Sequence, residues 1–208
     1  MAVFKKTIMI LLIILAVLAA GIAALPFFLA YSTNCDKADA VVLLLGPDFT
    51  ARQKHGQDLT RKGVADCLVI PAYNKIYCLQ EGALKLLPNK MDNNNVEEKR
   101  NAALPKYYED THVELIAAKK MMKTNGLKSA IFVSSPYHMR RIQFMVVRVF
   151  DRGPNYYFSP TPYETAPLKA WELQNADWKK VWRESVKILW FLIYFTWDNQ
   201  SFGRNSGS

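Results

Sequence analysis

Between Lys6 and Asp36 the chain carries no charged side chain. Residues 7–30 are almost wholly apolar, and about 20 such residues suffice to cross a bilayer core. A removable export signal has a shorter apolar region, about 7–15 residues, ending in a small-x-small cleavage site. Here the run is longer, and Pro26-Phe27-Phe28-Leu29 extends it where cleavage would fall. Residues 32–35, STNC, lack the apolar and small residues of a lipoprotein signal. An uncleaved anchor over residues 1–31 is expected, embedded in the lipid bilayer through residues 7–30; cleaved export is the alternative. Lys5 and Lys6 precede the run, and the positive flank of a span stays in the cytoplasm. The chain is therefore expected to cross the cytoplasmic (inner) membrane once, its C-terminal domain facing the periplasm or the outside.

That leaves residues 37–198 as one domain, long enough for a sizeable core. Residues 199–208 are polar and rich in Gly and Ser, and are expected to form a disordered tail. Hydrophobic residues make up 50% and charged residues 22%, which excludes collagen-like and wholly disordered chains. No Cys-x-x-Cys or His-x-x-x-His pair occurs, so no structural zinc site is expected and no metal ligand is assigned. Cys67 opens an apolar run and reads as a buried free thiol. One disulfide among Cys35, Cys67 and Cys78 is the alternative in an oxidising compartment.

Residues 40–45, AVVLLL, form a short continuous apolar run stopped by Gly46-Pro47-Asp48, as in strands buried on both faces. Residues 50–62 are helix-compatible and close at Gly63. Residues 67–70 are a second apolar run, and 79–87 read as a short helix. Residues 88–106 are polar and Asn-rich, a loop or insertion with little to bury. Residues 111–124 are the clearest helix of the domain, with Thr111 and Glu114 spaced as a capping box and Asn125-Gly126 at its end. A strand at 130–133, a helix at 139–151 closed by Gly153-Pro154, and a strand at 156–158 follow. The last helix is expected over 178–197, either packed on the sheet or lying in the membrane plane through its tryptophans. The alternation of strand and helix predicts an α/β fold with a mostly parallel sheet.

In such sheets ligands bind beyond the carboxyl ends of the strands. One end carries Gly46, Asp48 and Arg52, where glycine permits close backbone approach and the arginine can grip an anion through two hydrogen bonds. Another carries Ser134, Ser135, His138 and Arg141, which combine hydroxyls, a titratable imidazole and a guanidinium. Glu109, Asp110, Thr111, His112 and Glu114 cluster at a helix start, where capping and the dipole account for much of the pattern. His55 and His112 read as surface residues. No Gly-x-Gly-x-x-Gly or Walker A segment occurs, so no standard nucleotide cofactor is indicated, and the cofactor stays unknown. Net charge is +9, yet the basic residues are scattered. Anionic lipid or a phosphorylated intermediate is a better fit than nucleic acid.

The sequence of motifs is an N-terminal anchor; ADAVVLLLG with Arg52, Gly56, Leu59 and Gly63; Thr111-x-x-Glu114; and Ser134-Ser135-x-Tyr137-His138-Met139-Arg140-Arg141. It resembles the YdcF-like domain family of envelope proteins, over about residues 39–158. The resemblance implies a Rossmann-like, three-layer α/β/α domain linked to envelope and peptidoglycan maintenance. Binding of S-adenosylmethionine is proposed for some members. By motif position its pocket holds Gly46, Arg52, Thr111, Glu114, Ser134, Ser135, His138 and Arg141. Two positions depart from the family pattern: Ile70-Pro71-Ala72 replaces Ser-Gly-Gly, and Leu115 replaces an Asn.

The function expected is binding of a phosphorylated lipid-linked or cell-wall intermediate, with hydrolysis or transfer of its phosphate as an extension. Arg52 and Arg141 would hold the anion, Ser134 and Ser135 would orient it, and His138 with Glu114 would handle protons. The alternative is a non-enzymatic interaction module of a cell-wall synthesis complex. A hydrolase using a metal held by Asp48, Glu114 and His138 ranks third.

Overall fold

A computed structural model describes residues 2–87, 105–150 and 155–205. Most of the expected polar insertion and the Gly153-Pro154 helix stop lie outside the described residues, as do residues 206–208. The first element is a long helix, α1 (Ala2–Leu29). Its segment Phe4–Leu29 has mean hydropathy 3.1, is long and apolar enough to cross a membrane, and buries none of its most apolar window in the protein.

The domain is α/β, built on one six-stranded sheet in the order β4-β3-β2-β1-β5-β6. The strands are β1 (Ala38–Leu43), β2 (Ala65–Ile70), β3 (Lys75–Gln80), β4 (Ala83–Leu86), β5 (Ala130–Ser134) and β6 (Tyr156–Pro160). β2, β1, β5 and β6 run parallel, and β3 and β4 add an antiparallel hairpin at the β2 edge. The helices are α2 (Phe49–Arg61), α3 (Asp110–Thr124), α4 (Met139–Val149) and α5 (Asn175–Asn205).

Side chains alternate across each strand, so a central sheet needs cover on both faces. Ala40, Val42 and Leu44 point to one face, where Leu115 and Met122 of α3, Ile142 and Met145 of α4 and Phe191 of α5 complete the larger core. Val41, Leu43, Leu68 and Val133 point to the other, covered by Phe49 and Leu59 at the two ends of α2. Gly56 of α2 lets that helix close on the sheet. A Cβ there would meet Leu43 Cδ2 at 2.8 Å.

Three expectations are corrected. Residues 79–87 form most of a hairpin, not a helix. Glu81 and Gly82 both take positive φ, 53° and 79°, joining β3 to β4 in the two-residue turn that suits strand twist. Cys67 is not a free thiol: it lies opposite Cys78 on β3, and the two form a disulfide. Cys35 is the free cysteine. α5 does not stop at Trp197 but continues to Asn205, since residues 198–205 contain no proline and only Gly203 weakens the helix.

Candidate functional site

β1 has β2 on one side and β5 on the other, so the order in which strands are added reverses between β1 and β5. Beyond the carboxyl ends of two such strands the connections diverge and leave a crevice. A cavity of about 1140 Å³ occupies this place. Its walls are the β1–α2 turn, the start of α3, the 3₁₀ turn Pro136–His138 before α4, residues 164–166, and one side of α5.

Gly46, Asp48, Arg52, Thr111, Glu114, Ser135, His138 and Arg141 all line it. Ser134 does not. It ends β5 with its hydroxyl fully buried and without a hydrogen-bond partner among the described residues. Its expected contact with a ligand is therefore corrected. The last residue of a strand buried on both faces points its side chain into the core, and Ser135 takes the exposed side.

Arg52 reaches back from α2 to the end of β1. Its Nη1 donates to Leu44 O at 3.0 Å and to Leu45 O at 2.6 Å. Nη2 donates to Ser135 Oγ at 2.6 Å, and that hydroxyl donates to Glu164 Oε1 at 2.9 Å. Gly46 is required by this approach, because a Cβ there would stand 2.3 Å from Nη1. The arginine thus ties the two strand ends together, and only Nε is left without a hydrogen bond.

Arg141 is 1% exposed and is likewise committed. Its Nε donates to Glu184 Oε2 at 2.8 Å, and Nη1 pairs with Glu109. Nη2 lies 3.1 and 3.2 Å from the two ring nitrogens of His138, against the ring rather than on a single lone pair. His138 Nδ1 is 3.4 Å from Glu184 Oε2. Burial and the charge of Arg141 push His138 down to about 4, against the pull of Glu184. Burial would raise Glu184, but the hydrogen bond from His138 and the charge of Arg141 hold it well below the usual carboxylate range. Burial pushes Glu109 up, with Arg141 opposing. At neutral pH the cluster is therefore a neutral imidazole held between an ionised Glu184 and the Arg141 cation.

Glu184 partners His138, a role the sequence had assigned to Glu114. Glu114 Oε2 accepts from Leu45 N–H at 2.9 Å and fixes the end of β1. Nor does Glu114 form a capping box, because the α3 N-cap is Glu109 and no side chain caps it. His112 is buried rather than at the surface, its Nδ1 3.1 Å from Tyr194 Oη under α5. His55 is half-buried, with Nε2 2.8 Å from Ser159 Oγ.

The sequence reading passed over α5 as a source of site residues, yet it forms the basic wall: Lys179, Lys180, Arg183 and Lys187 line the cavity beside Glu184. Lys179 and Lys180 are exposed and make no ion pair among the described residues. Free cationic donors thus stand at the mouth, while the interior arginines are neutralised. Among the described residues no group of three or more His, Cys, Asp or Glu side chains is placed to hold a metal ion. Comparison with known proteins finds no matching family, no curated relative and no matching solved structure.

Proposed function

We propose that this is a single-pass membrane protein whose domain binds a phosphorylated ligand in the crevice between β1 and β5. The observation that carries the reading is the cavity itself: a basic α5 wall at its mouth over an interior of fixed hydrogen-bonding groups. An anion would meet Lys179, Lys180 and Arg183 first. The preferred ligand class is a phosphorylated lipid-linked or cell-wall intermediate, since Tyr137 lines the cavity and also packs with Leu29 at the end of α1.

Arg52 and Arg141 take a different role from the one expected. They organise the site rather than grip the anion, because their donors are already used on the protein. His138 is the group available for proton transfer, but an imidazole pushed down to about 4 is a weak base at neutral pH. Binding is therefore the first reading, and hydrolysis or transfer of the phosphate the second.

We also place the domain outside the cytoplasmic membrane. Lys5 and Lys6 before the span, and a disulfide joining β2 to β3, both fit that compartment. The helices covering both sheet faces support a Rossmann-like, three-layer arrangement. The shared cavity of the motif residues supports kinship with the YdcF-like envelope family.

The test uses the full chain in detergent, with a long-chain alkyl phosphate and the corresponding alcohol as probes. At about 100 times Kd a ligand raises stability by about 2.7 kcal/mol. The phosphate should raise the melting temperature and the alcohol should not. Lys179→Ala with Lys180→Ala should shrink the effect, as should added salt. Equal shifts from both probes, or none from either, would leave the interaction-module reading in its place. Release of inorganic phosphate by the parent, and not by His138→Asn, would promote the hydrolytic reading.

A further inference from the structure

Helix α5 has two apolar faces. Val181, Ile188, Phe191 and Tyr194 are buried against the domain and the end of α1. On the opposite side Trp182, Val186, Leu189, Trp190 and Ile193 are 65%, 47%, 60%, 45% and 56% exposed. Their spacing is i, i+4, i+7, i+8, i+11, which is one continuous stripe of a helix. Single exposed apolar side chains are ordinary, but a contiguous stripe containing two tryptophans marks a contact surface.

The path of α1 identifies what covers it. About 20 residues fill the hydrocarbon core, so a span starting at Thr7 ends near Pro26, with Leu25 at the edge of the core and Leu29 at headgroup level. Those two residues pack on α5 beside Val181 and Ile188. Arg140 accompanies them, donating to Phe28 O at 2.8 Å with its guanidinium over the Phe28 and Tyr31 rings. Packed helices lie about 8–10 Å apart, so this part of α5 cannot stand far from the bilayer surface. On the helical wheel the exposed stripe lies between the α1 contact and the row Lys179, Lys180 and Arg183. A second copy docking by two-fold symmetry would bring these cationic rows together, whereas anionic lipid headgroups complement them.

We propose that α5 lies in the interface of the same bilayer that α1 spans, on the domain's side, with the Trp182–Ile193 stripe among the lipids. The flanking lysines then stand at the level of the lipid phosphates, and the cavity mouth opens along the membrane plane. This rests on α1 being a membrane anchor.

All five tryptophans lie between Trp171 and Trp197 and none is in α1, so indole emission reports on α5 and its approach alone. The full chain is reconstituted in vesicles of phosphatidylcholine and phosphatidylglycerol, with and without brominated acyl chains. Flotation with the vesicles tests the anchor separately from α5. The expected result is strong quenching by the brominated lipid and protection from aqueous acrylamide. Trp182→Phe with Trp190→Phe should lose most of the quenchable intensity, and both positions are exposed, so no core packing is lost. Floating protein quenched by acrylamide but not by brominated lipid would overturn the inference, the anchor standing. So would protection from both quenchers, which would put a protein partner on the stripe, and equal quenching in parent and variant. Failure to float would overturn the anchor and this inference with it.

Discussion

Acid should weaken the fold through His138, and the size of the effect follows from its surroundings. The side chain is 12% exposed, with Arg141 against its ring and Glu184 at 3.4 Å. The folded state binds its proton only near pH 4, against 6.5 in an ordinary imidazole. The pKa is lowered on folding, so the sign is fixed. Above about pH 6.5 neither state is protonated and the contribution is complete. As pH falls from 6.5 towards 4 the unfolded chain takes up a proton that the folded one refuses, and stability is lost. One pH unit is worth about 1.4 kcal/mol, so the whole window is worth about 3 kcal/mol. Against a usual total of about 5–15 kcal/mol that is a visible share. Glu184 adds its own loss at lower pH, since its folded value lies below the ordinary 4.5. His55, lowered by burial, acts in the same direction as His138, and Glu109, raised by burial, acts against it. The comparison is therefore with His138→Asn, whose amide can still reach Glu184 but does not titrate. Urea unfolding of both proteins in a non-ionic detergent, at intervals from pH 7.5 to 4, gives the difference directly. The parent should lose stability relative to the variant by about 3 kcal/mol across the window. A flat difference would show that the cavity does not hold the imidazole neutral, and the account of the cluster would fail.

Three further outcomes are expected. Replacing Cys67 and Cys78 by serine removes a cross-link spanning a sequence separation of 11, and chain entropy puts the loss at about 3 kcal/mol; a melting curve under oxidising conditions checks it. Gly46→Ala drives a methyl group into the Arg52 guanidinium, costing about 1–3 kcal/mol and lowering affinity for the alkyl phosphate; unchanged binding would separate Arg52 from the site. Glu114→Leu strips the Leu45 N–H of its acceptor and should cost about 1–3 kcal/mol, whereas Glu114→Gln keeps an acceptor and should cost less, as thermal denaturation of the two variants will read.

What was legible in the sequence was whatever local pattern decides. Residues 40–45 and 130–133 read as buried strands because continuous apolar runs flanked by turn residues have few other uses. Helices α2 and α3 read correctly from Gly63 and Gly126 beyond their ends, both at positive φ, and α4 from its apolar stripe. The hairpin at β3–β4 was missed, although Ile76 and Cys78 alternate inward and Glu81-Gly82 supplies a turn; the short span 79–87 also fits a helical period. Glu184 was missed for a different reason. Its partners Arg141 and His138 lie more than 40 positions earlier, so only the docking of α5 brings them together. One local signal existed. Glu184 falls on the buried stripe of α5, between Val181 and Ile188, where a carboxylate is costly unless paired. His112 carries the same signal, three residues before buried Leu115. A charged or polar side chain on the inward face of a helix therefore pointed to the network more specifically than the Thr-x-x-Glu spacing did.

The turn that opens α4 joins the cavity to α1. His138 and Arg141 line the cavity, Arg140 faces α1, and Tyr137 touches both. Tyr137 is buried with Leu29 and Val181, and its hydroxyl donates to Pro167 O at 2.5 Å. Pro167 follows residues 164–166 of the cavity wall. Any change in how α1 sits on the domain therefore acts on the backbone that carries His138, and on the segment that brings Glu164 to Ser135. The end of α1 is part of the domain's packing, because Leu29 is fully buried. Cutting the chain after α1 would expose Tyr137, Val181 and Ile188 together, and would disturb the cavity through Tyr137.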